Sequence, residues 1–296
     1  MRKPDSLFPD SNGHDYALRT THYTLVTAYP FLVHLGRFTI TGYGLMLMAA
    51  FLVAGWVFAK SLEREGMEST IAWDAVVMAV IGGLIGGKVY YALLVHDWSA
   101  LTSRGGLVWY GGFVGGVAAV SGYMLWKKHS IPTMGDIIAP ALAAGYSVGR
   151  VGCFLVGDDY GVPTLLPWGV AFPQGSPPTT ARMLEQEFHV ALPPGTPPDQ
   201  VFAVHPTQLY EVFIAFAIFW LLWRIGRQHR HAPGWLLGIY LALMGMERMF
   251  VEIFRAKDDR FFGPFTLAQV LSVLTIGIGA WLAWSKQRPP APAKSA

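Results

Sequence analysis

Arginine and glutamate residues occur inside stretches of the sequence that are otherwise strongly apolar. Arg248, Glu252 and Arg255 follow one another at intervals of four and three residues, which places them on one face of a helix. Arg150 lies in a second apolar stretch, within the tetrapeptide GRVG. Because a guanidinium group can bind phosphate through two parallel hydrogen bonds, these residues predict a site for the phosphate of a membrane lipid.

The same charges have a second interpretation, in which they pair within the chain and bind no ligand. Arg248 could pair with Glu247 or Glu252, and Arg150 with Asp158. An ionisable group at membrane depth is costly unless it is paired or hydrated. Carboxylates that pair with the arginines could also hold them around a bound phosphate, so the spacing leaves both interpretations open.

A further polar group, residues 205–211, opens another apolar stretch. Pro206 suits the first turn of a helix and would hold His205 at the outer mouth of that segment. His205 and Gln208 share a helical face. A histidine beside an arginine-lined site is a candidate base or hydrogen-bond donor. A histidine that caps a helix at the membrane interface is the alternative.

The composition limits the class of protein. Of the 296 residues, 53% are hydrophobic and only 14% are charged, whereas an average soluble domain has about 25% charged residues. A disordered chain, a coiled coil and an ordinary soluble enzyme are therefore excluded, and a net charge of +3 does not indicate nucleic-acid binding. The single cysteine, Cys153, excludes an internal disulfide, and no metal or other cofactor is predicted.

Seven segments are long and apolar enough to cross a membrane, which predicts an all-α membrane protein with seven transmembrane helices. Asp136 and Glu211 fall near predicted helix ends, where water could reach them. Glycines four residues apart in the second and third segments (Gly82 and Gly86, Gly83 and Gly87, Gly111 and Gly115, Gly112 and Gly116) predict close helix packing. The seven segments cover residues 39–59, 71–95, 107–126, 134–156, 206–223, 234–254 and 265–284.

Basic residues in the short loops set the orientation. They concentrate in the loops on one side, which is therefore the cytoplasmic side, and this places the N-terminus outside and the C-terminus inside. The basic residues on that side are Lys60, Arg64, Lys127, Lys128, Arg224, Arg227, Arg230, Lys286, Arg288 and Lys294. Arg255, Lys257 and Arg260 break this pattern, and we interpret them as part of a site. The predicted parts are a polar N-terminal extension and interfacial segment (1–38), a transmembrane domain (39–285) with a proline-rich outer loop (157–204), and a cytoplasmic tail (286–296).

These segments together resemble the prolipoprotein diacylglyceryl transferase family, integral membrane enzymes that start bacterial lipoprotein maturation. The resemblance covers residues from about 39 to 284, and the order and spacing of its motifs make it specific. The motifs are GYGLM at 42–46, GGK at 86–88, GGLVWYGG at 105–112, DIIAP at 136–140, GRVG at 149–152, Gly161, HPTQLYE at 205–211, and Arg248-x-x-x-Glu252-x-x-Arg255.

The chain departs from the usual family pattern at five positions. The family signature has two asparagines and a glutamate where this chain has Cys153, Val156 and Asp158. Tyr110 stands where the family often has histidine, and Lys88 where arginine is common. Loss of both asparagines removes amide hydrogen bonds, so the resemblance implies a divergent member whose substrate is oriented differently in detail.

The resemblance implies an activity. The family transfers the sn-1,2-diacylglyceryl group from phosphatidylglycerol to the lipobox cysteine thiol of preprolipoproteins, and glycerol 1-phosphate leaves. Arg150 and Arg248 would clamp the phosphate, and Tyr43 would position lipid. Tyr110 stands at the position of the family's proposed base but is a poor base at neutral pH unless neighbouring arginines lower its pKa. His205 could take that role, Asp158 is a weaker alternative, and near guanidiniums that favour the thiolate no single base need be required. The remaining residues predicted to bind substrate are Lys88, Gly111, Gly112, Asp158, Gly161, Gln208, Glu252 and Arg255. The implied location is the bacterial inner membrane, with the active site toward the outer face.

Three other functions would require different sequence features. A retinal protein needs a lysine in its last helix, and residues 265–284 have none. A transporter would show matched halves, and the sequence has no internal repeat. A non-catalytic or re-purposed relative that binds anionic phospholipid remains an alternative, because the substituted signature is compatible with it.

Overall fold

The computed structural model describes residues 26–35, 38–103, 106–227, 231–256, 260–262 and 265–287. The predicted polar extension over residues 1–20, the bases Arg104, Arg230 and Lys257, and the tail from Arg288 onward lie outside these ranges. Within them the chain forms seven α-helices of 18 to 26 residues and one short helix. They are α1 Gly42–Arg64, α2 Thr70–Val95, α3 Trp109–Trp126, α4 Ile131–Val156, α5 Ala181–Gln186, α6 Thr207–Ile225, α7 Trp235–Glu252 and α8 Leu267–Ser285.

Six of the seven predicted segments agree with a long helix to within three residues at both ends. The first segment is displaced. The predicted start at residue 39 lies in a strand, β3 (Phe38–Thr41), which pairs with β2 (Leu32–Leu35) in an antiparallel hairpin. At its other end α1 continues to Arg64, because Ser61 and Leu62 are buried and Lys60 forms an ion pair with Glu63 one turn on.

Five of the long helices, α1, α2, α4, α6 and α8, are apolar enough to cross a membrane. The other two differ in composition. Helix α3 contains five glycines and two tryptophans, which lower its mean hydropathy. Helix α7 carries three charged residues, Glu247, Arg248 and Glu252. Several apolar spans are typical of a multi-pass membrane protein.

The described residues group into two compact units. The helical unit consists of the described residues within 46–149, 211–249 and 268–287, and the loop unit of those within 26–45, 150–210 and 250–267. The predicted boundaries at residues 38 and 285 therefore do not coincide with the structural division, which cuts through α1, α4, α6, α7 and α8.

Helices α2 and α3 of the helical unit pack through their glycines. A Cβ atom added to Gly86 would lie 2.3 Å from the carbonyl oxygen of Gly111, and one added to Gly115 would lie 2.3 Å from that of Gly82. These distances are too short for any side chain, so backbone contacts backbone here. The packing role predicted for the paired glycines is confirmed at these four positions.

Substitution of Gly86 is expected to disturb this contact. We expect Gly86→Ala to lower the free energy of unfolding by about 1–3 kcal/mol, because the methyl group forces α2 and α3 apart. Gly122→Ala, also in α3, is the matched control, since no atom lies within 4 Å of the added Cβ. Thermal unfolding in detergent checks both variants. Equal unfolding midpoints would contradict the packing account.

Asp136 has a structural role in the helical unit. Its carboxylate accepts hydrogen bonds from the backbone N–H groups of Gly234 and Leu237, both at 2.8 Å, and so caps the start of α7. Asp136 is 6% exposed and Glu211 is fully buried. The expectation that water reaches these two carboxylates near predicted helix ends was therefore wrong, because other helices of the unit cover them.

The loop unit has a core of its own. Tyr160, Phe172, Leu184, Phe202 and Val204 are buried together. A short parallel pair, β1 (Val26–Thr27) with β4 (Val170–Ala171), closes one edge. A second antiparallel pair joins β5 (Arg260–Phe262) to β6 (Phe265–Thr266). The proline-rich stretch 157–204 is thus a folded part of the protein, held by aromatic packing and backbone hydrogen bonds.

Candidate functional site

Two arginines of the loop unit share one carboxylate. Arg150 Nη1 donates to Oδ2 of Asp159 at 3.0 Å, and Arg255 Nη2 donates to Oδ1 of the same carboxylate. The Arg150 and Arg255 side chains are only 12% and 8% exposed. The sequence predicted Asp158 as a partner of Arg150 and did not predict the ion pair with the next residue, Asp159.

The end of α4 explains why Asp159 takes this position. Gly157, with φ of +70°, stops the helix, while its N–H bonds to the carbonyl of Phe154 and the Asp158 N–H bonds to that of Cys153. This is the hydrogen-bond pattern of a Schellman motif, for which glycine is preferred. Asp159 then adopts φ of +56°. Two left-handed residues within three positions turn the chain back, so that Asp159 faces Arg150 of the preceding helix.

The two neighbouring aspartates have opposite pKa shifts. Burial raises the pKa of the Asp158 carboxyl to about 6, and the negative charge of Asp159 adds to this rise. Burial acts in the same direction on Asp159. The guanidiniums of Arg255 and Arg150 outweigh it and hold the pKa of the Asp159 carboxyl well below its ordinary value. Asp159 is therefore the permanent counter-ion, and Asp158 can exchange a proton near neutral pH.

This difference predicts a pH dependence of stability. The folded protein keeps a proton on Asp158 up to about pH 6, whereas the unfolded chain releases it near pH 4. The contribution of this group to stability therefore falls as pH rises from about 4 to about 6, and stays low above that. We expect Asp158→Asn to unfold at a higher temperature than wild type at pH 8 and at a similar temperature at pH 4. Parallel pH profiles for the two proteins would contradict this.

Gly161 brings three segments of the loop unit together. Its N–H bonds to the carbonyl of His205 at 2.8 Å, and Gly161 and Arg255 form an isolated antiparallel bridge. A Cβ atom here would lie 2.3 Å from the carbonyl oxygen of Phe254. A glycine is therefore required for the segments that carry His205 and Arg255 to approach one another.

The start of α6 is bonded to the same turn. Thr207 Oγ1 donates to the backbone carbonyl of Asp159 at 2.6 Å, and Gln208 Nε2 donates to that of Asp158. Gln208 is completely buried. Burial lowers the pKa of His205, which keeps its imidazole neutral at physiological pH.

Glu252 supports the arginine cluster from α7. Its Oε2 lies 3.9 Å from Nε of Arg255, and its Oε1 accepts a hydrogen bond from the hydroxyl of Thr266 at 2.9 Å. Arg255, which lies outside the charge pattern of the loops, thus pairs with two carboxylates, and its service to a ligand stays a prediction. The other two exceptional bases give no comparable information, since Lys257 and the Arg260 side chain lie outside the described part of the chain.

Arg248 belongs to the helical unit and has a partner that the sequence did not predict. Its Nη1 lies 3.8 Å from Oε1 of Glu211, whose side chain is 1% exposed. The same oxygen accepts a hydrogen bond from the hydroxyl of Tyr146 at 3.0 Å. Glu247 and Glu252 were the predicted partners. Glu211 belongs to the motif at 205–211, but its position near a predicted helix end indicated access to water and not burial.

Other predicted residues of the helical unit have separate environments. Lys88 Nζ donates to the carbonyl of Ser103 at 2.6 Å. Tyr110 is 45% exposed and contacts Trp109 edge to face. Gly111 packs on α2. A Cβ atom added to Gly112 would lie 3.4 Å from the carbonyl oxygen of Gly83. Tyr43, at the start of α1 in the loop unit, is 40% exposed. Substrate contact by these residues stays a prediction.

Cys153 is a buried free thiol beside the aspartates. Ligand atoms of Cys153, Asp158 and Asp159 all lie within 4.8 Å of one another, a grouping that the linear spacing did not reveal. Arg150 Nη1 lies 3.3 Å from the sulfur, and Asp159 binds two guanidiniums. These positive charges oppose a metal cation and favour an anion. The residues of this grouping therefore fit a metal ion poorly.

Comparison with known proteins identifies the family of this chain. The family described as prolipoprotein diacylglyceryl transferase matches residues 30–285. Phosphatidylglycerol–prolipoprotein diacylglyceryl transferase of Clostridium tetani is 29% identical to this chain over 260 residues, covering 86% of this chain and 96% of the relative. The proteins of the same name from Geobacter sulfurreducens and Photobacterium profundum are each 30% identical, covering 86% and 90% of this chain and 94% and 97% of the relatives. The chain therefore belongs to the prolipoprotein diacylglyceryl transferase family.

Proposed function

We propose that this protein transfers the sn-1,2-diacylglyceryl group of phosphatidylglycerol to the lipobox cysteine thiol of preprolipoproteins and releases glycerol 1-phosphate. The observation that carries the proposal is the pair of buried guanidiniums, Arg150 and Arg255, oriented by the single carboxylate of Asp159. Guanidiniums fixed in this way can stabilise the charge that develops on a leaving phosphate. Membership of the family and the names of the bacterial relatives support the same reaction.

The reaction forms one bond and breaks one. The thiol of the peptide loses its proton, and the resulting thiolate attacks the glycerol carbon that bears the phosphate. An S–C bond forms while the C–O bond to the phosphate breaks, and the electron pair leaves on the phosphate oxygen. We assign the acceptance of the thiol proton to Asp158, because its pKa of about 6 leaves it ionised but basic at neutral pH. From Asp158 the proton can pass to the departing phosphate.

The proposed location is the bacterial cytoplasmic membrane, with the N-terminus and the 157–204 stretch on the outer face and the C-terminus inside. Aromatic residues support the placement of the basic helix ends at a membrane interface. The Arg64 guanidinium lies 3.3 Å from the centre of the Trp223 ring, and that of Arg224 lies 5.4 Å from the Trp220 ring. Arginine next to tryptophan is typical of the interface between membrane and water. We propose seven spans, with α3 and α7 added to the five apolar helices.

A non-catalytic lipid-binding relative is the second candidate, favoured by Cys153 and Val156 in place of the signature asparagines. Phosphatidylglycerol labelled in the acyl chains and in the headgroup glycerol separates the two. With a lipobox peptide we expect acyl label on the peptide and an equal amount of water-soluble headgroup label. A peptide with serine in place of cysteine is the control. With this peptide we expect no acyl label on the peptide and no water-soluble headgroup label. Lipid binding without any release would reject the transferase and support the second candidate.

A further inference from the structure

Three side chains of the loop unit form a hydrogen-bonded chain that ends on His205. The indole Nε1–H of Trp168 donates to the hydroxyl oxygen of Tyr210 at 2.9 Å. That hydroxyl lies 3.1 Å from Nδ1 of His205. No part of the reaction described above uses Trp168 or Tyr210, so their arrangement needs a separate explanation.

The chemistry of the three groups gives the chain a direction. An indole nitrogen can only donate, so the Tyr210 oxygen accepts from Trp168. The hydroxyl has one hydrogen, and among the described residues the only acceptor placed to take it is Nδ1 of His205. Nδ1 is then an acceptor, and the proton of the neutral imidazole must be on Nε2. The opposite tautomer would leave the Tyr210 hydroxyl hydrogen without an acceptor among the described residues.

The packing around His205 fixes the ring that this chain orients. His205 is 7% exposed, and its ring centre lies 5.1 Å from that of Phe254 and 6.1 Å from that of Tyr210. Its backbone N–H donates to the carbonyl of Val162 at 3.0 Å, while its own carbonyl accepts from Gly161. Both the tautomer and the orientation of the imidazole are therefore held by its surroundings.

We propose that His205 is held as the Nε2–H tautomer and donates a hydrogen bond from Nε2 to an oxygen of the bound phospholipid, and that Tyr210 and Trp168 are positioning residues that fix this tautomer. An Nε2–H group that donates a hydrogen bond cannot also act as the general base. Of the two roles that the sequence left open for His205, base or hydrogen-bond donor, the proposal therefore selects the donor. Phospholipid is the expected partner because Phe254, on which the imidazole packs, immediately precedes Arg255 of the guanidinium pair. The identity of the ligand rests on the proposed function, whereas the tautomer does not.

Nitrogen NMR of the imidazoles tests the tautomer directly. In protein labelled with ¹⁵N-histidine, we expect His205, assigned by comparison with His205→Gln, to show a protonated Nε2 and an unprotonated Nδ1. Tyr210→Phe removes the donor and should convert the signal to a mixture of tautomers. Tyr160→Phe is the matched control, because the Tyr160 hydroxyl bonds to the carbonyl of Pro178 and not to His205. An Nδ1-protonated imidazole in the wild type would overturn the proposal.

Two further measurements test the donor role. Addition of phosphatidylglycerol to protein in nanodiscs that lack it should shift the Nε2 signal, and an unmoved signal would overturn the donor role whether or not transfer occurs. The transfer assay compares two variants of His205. In His205→Gln the side-chain amide keeps an N–H near the position of Nε2, whereas in His205→Asn the shorter side chain places no N–H there. We expect the glutamine variant to stay within about tenfold of wild type and the asparagine variant to fall by about 10²-fold. Equal losses would overturn the proposal. A correct tautomer in a protein without transfer would instead count against the proposed function.

Discussion

Replacement of Arg150 by lysine is expected to slow diacylglyceryl transfer by about 10²- to 10³-fold. In the present structure the Arg150 guanidinium bonds to Asp159 at 3.0 Å and lies 3.3 Å from the sulfur of Cys153. A planar guanidinium can keep such a fixed contact and still direct other N–H groups at a phosphate. The ammonium of lysine is a compact point charge on a flexible stem and cannot hold both in one plane. The initial rate of transfer to a lipobox peptide measures the effect.

Arg182→Lys is the matched control for this experiment. Arg182 belongs to the same unit and also pairs with an aspartate, Asp199 at 3.2 Å, but the two side chains are 55% and 90% exposed. We expect transfer by this variant to equal that of wild type. If Arg150→Lys keeps wild-type activity, or if both variants lose activity equally, Arg150 is not the phosphate ligand.

Replacement of Asp159 by asparagine is expected to lower the free energy of unfolding by about 2–4 kcal/mol. Removal of one partner from a buried ion pair typically costs about 3–5 kcal/mol, because the other charge stays buried without compensation. Here two guanidiniums lose the same partner, but the Asp159 side chain is 39% exposed and solvent screens part of the repulsion. Transfer should fall as well, since the guanidinium pair loses its fixed orientation. Unfolding in detergent and the transfer assay give the two values.

The pH dependence of this variant supplies an independent check. The pKa of Asp159 is lowered in the folded protein, so its stabilising contribution is present above the unfolded value of about 3.9 and is lost as pH falls below it. The difference between wild type and Asp159→Asn should therefore be large at pH 7 and shrink in strong acid. Asp199→Asn, at the exposed pair, should cost about 1 kcal/mol or less. Equal costs for the two variants would contradict the shared-counter-ion account.

The long helices were predicted well from the sequence, because each corresponds to an apolar run of about 20 residues. The start of α1 was the exception. Residues 39–41 are apolar enough for a helix, but their pairing with β2 depends on a contact between two segments, which hydropathy does not report. The glycine pairs of α2 and α3 were also predicted correctly, since small residues four apart have few other uses in an apolar helix.

The sequence did not predict all the ion pairs around the candidate site residues. Arg150, Gly161, His205, Gln208 and Arg255 belong to the loop unit, whereas the predicted site residues Lys88, Tyr110 and Arg248 belong to the helical unit. Contact of these residues with substrate stays a prediction. The counter-ion was missed because the choice between Asp158 and Asp159 depends on two left-handed residues after α4, and only the glycine at 157 gave a sign of them in the sequence. Where two consecutive aspartates follow a glycine that ends a helix, as at residues 157–159, both carboxylates should be considered as counter-ions of an arginine in that helix.

The pairing of Arg248 with Glu211 was missed for a different physical reason. A position near the end of a predicted helix indicates access to water only if no other helix covers it. Glu211 is covered, and its carboxylate also accepts the Tyr146 hydroxyl. Burial by tertiary packing cannot be obtained from hydropathy along one segment, and the same limitation affected Asp136.

The most direct test of the transferase account is the transfer of labelled diacylglyceryl from phosphatidylglycerol to a lipobox peptide by wild type, Arg248→Ala and Arg248→Lys in detergent. The lysine variant keeps a positive charge beside the buried Glu211 and controls for folding, which the unfolding midpoint of each variant monitors. If Arg248 is a phosphate ligand, as the family resemblance implies, we expect clear transfer by wild type, none by a folded Arg248→Ala, and strongly reduced transfer by Arg248→Lys. No transfer by wild type with lipid binding intact would contradict the enzyme assignment, and full activity of Arg248→Ala would show that Arg248 is structural.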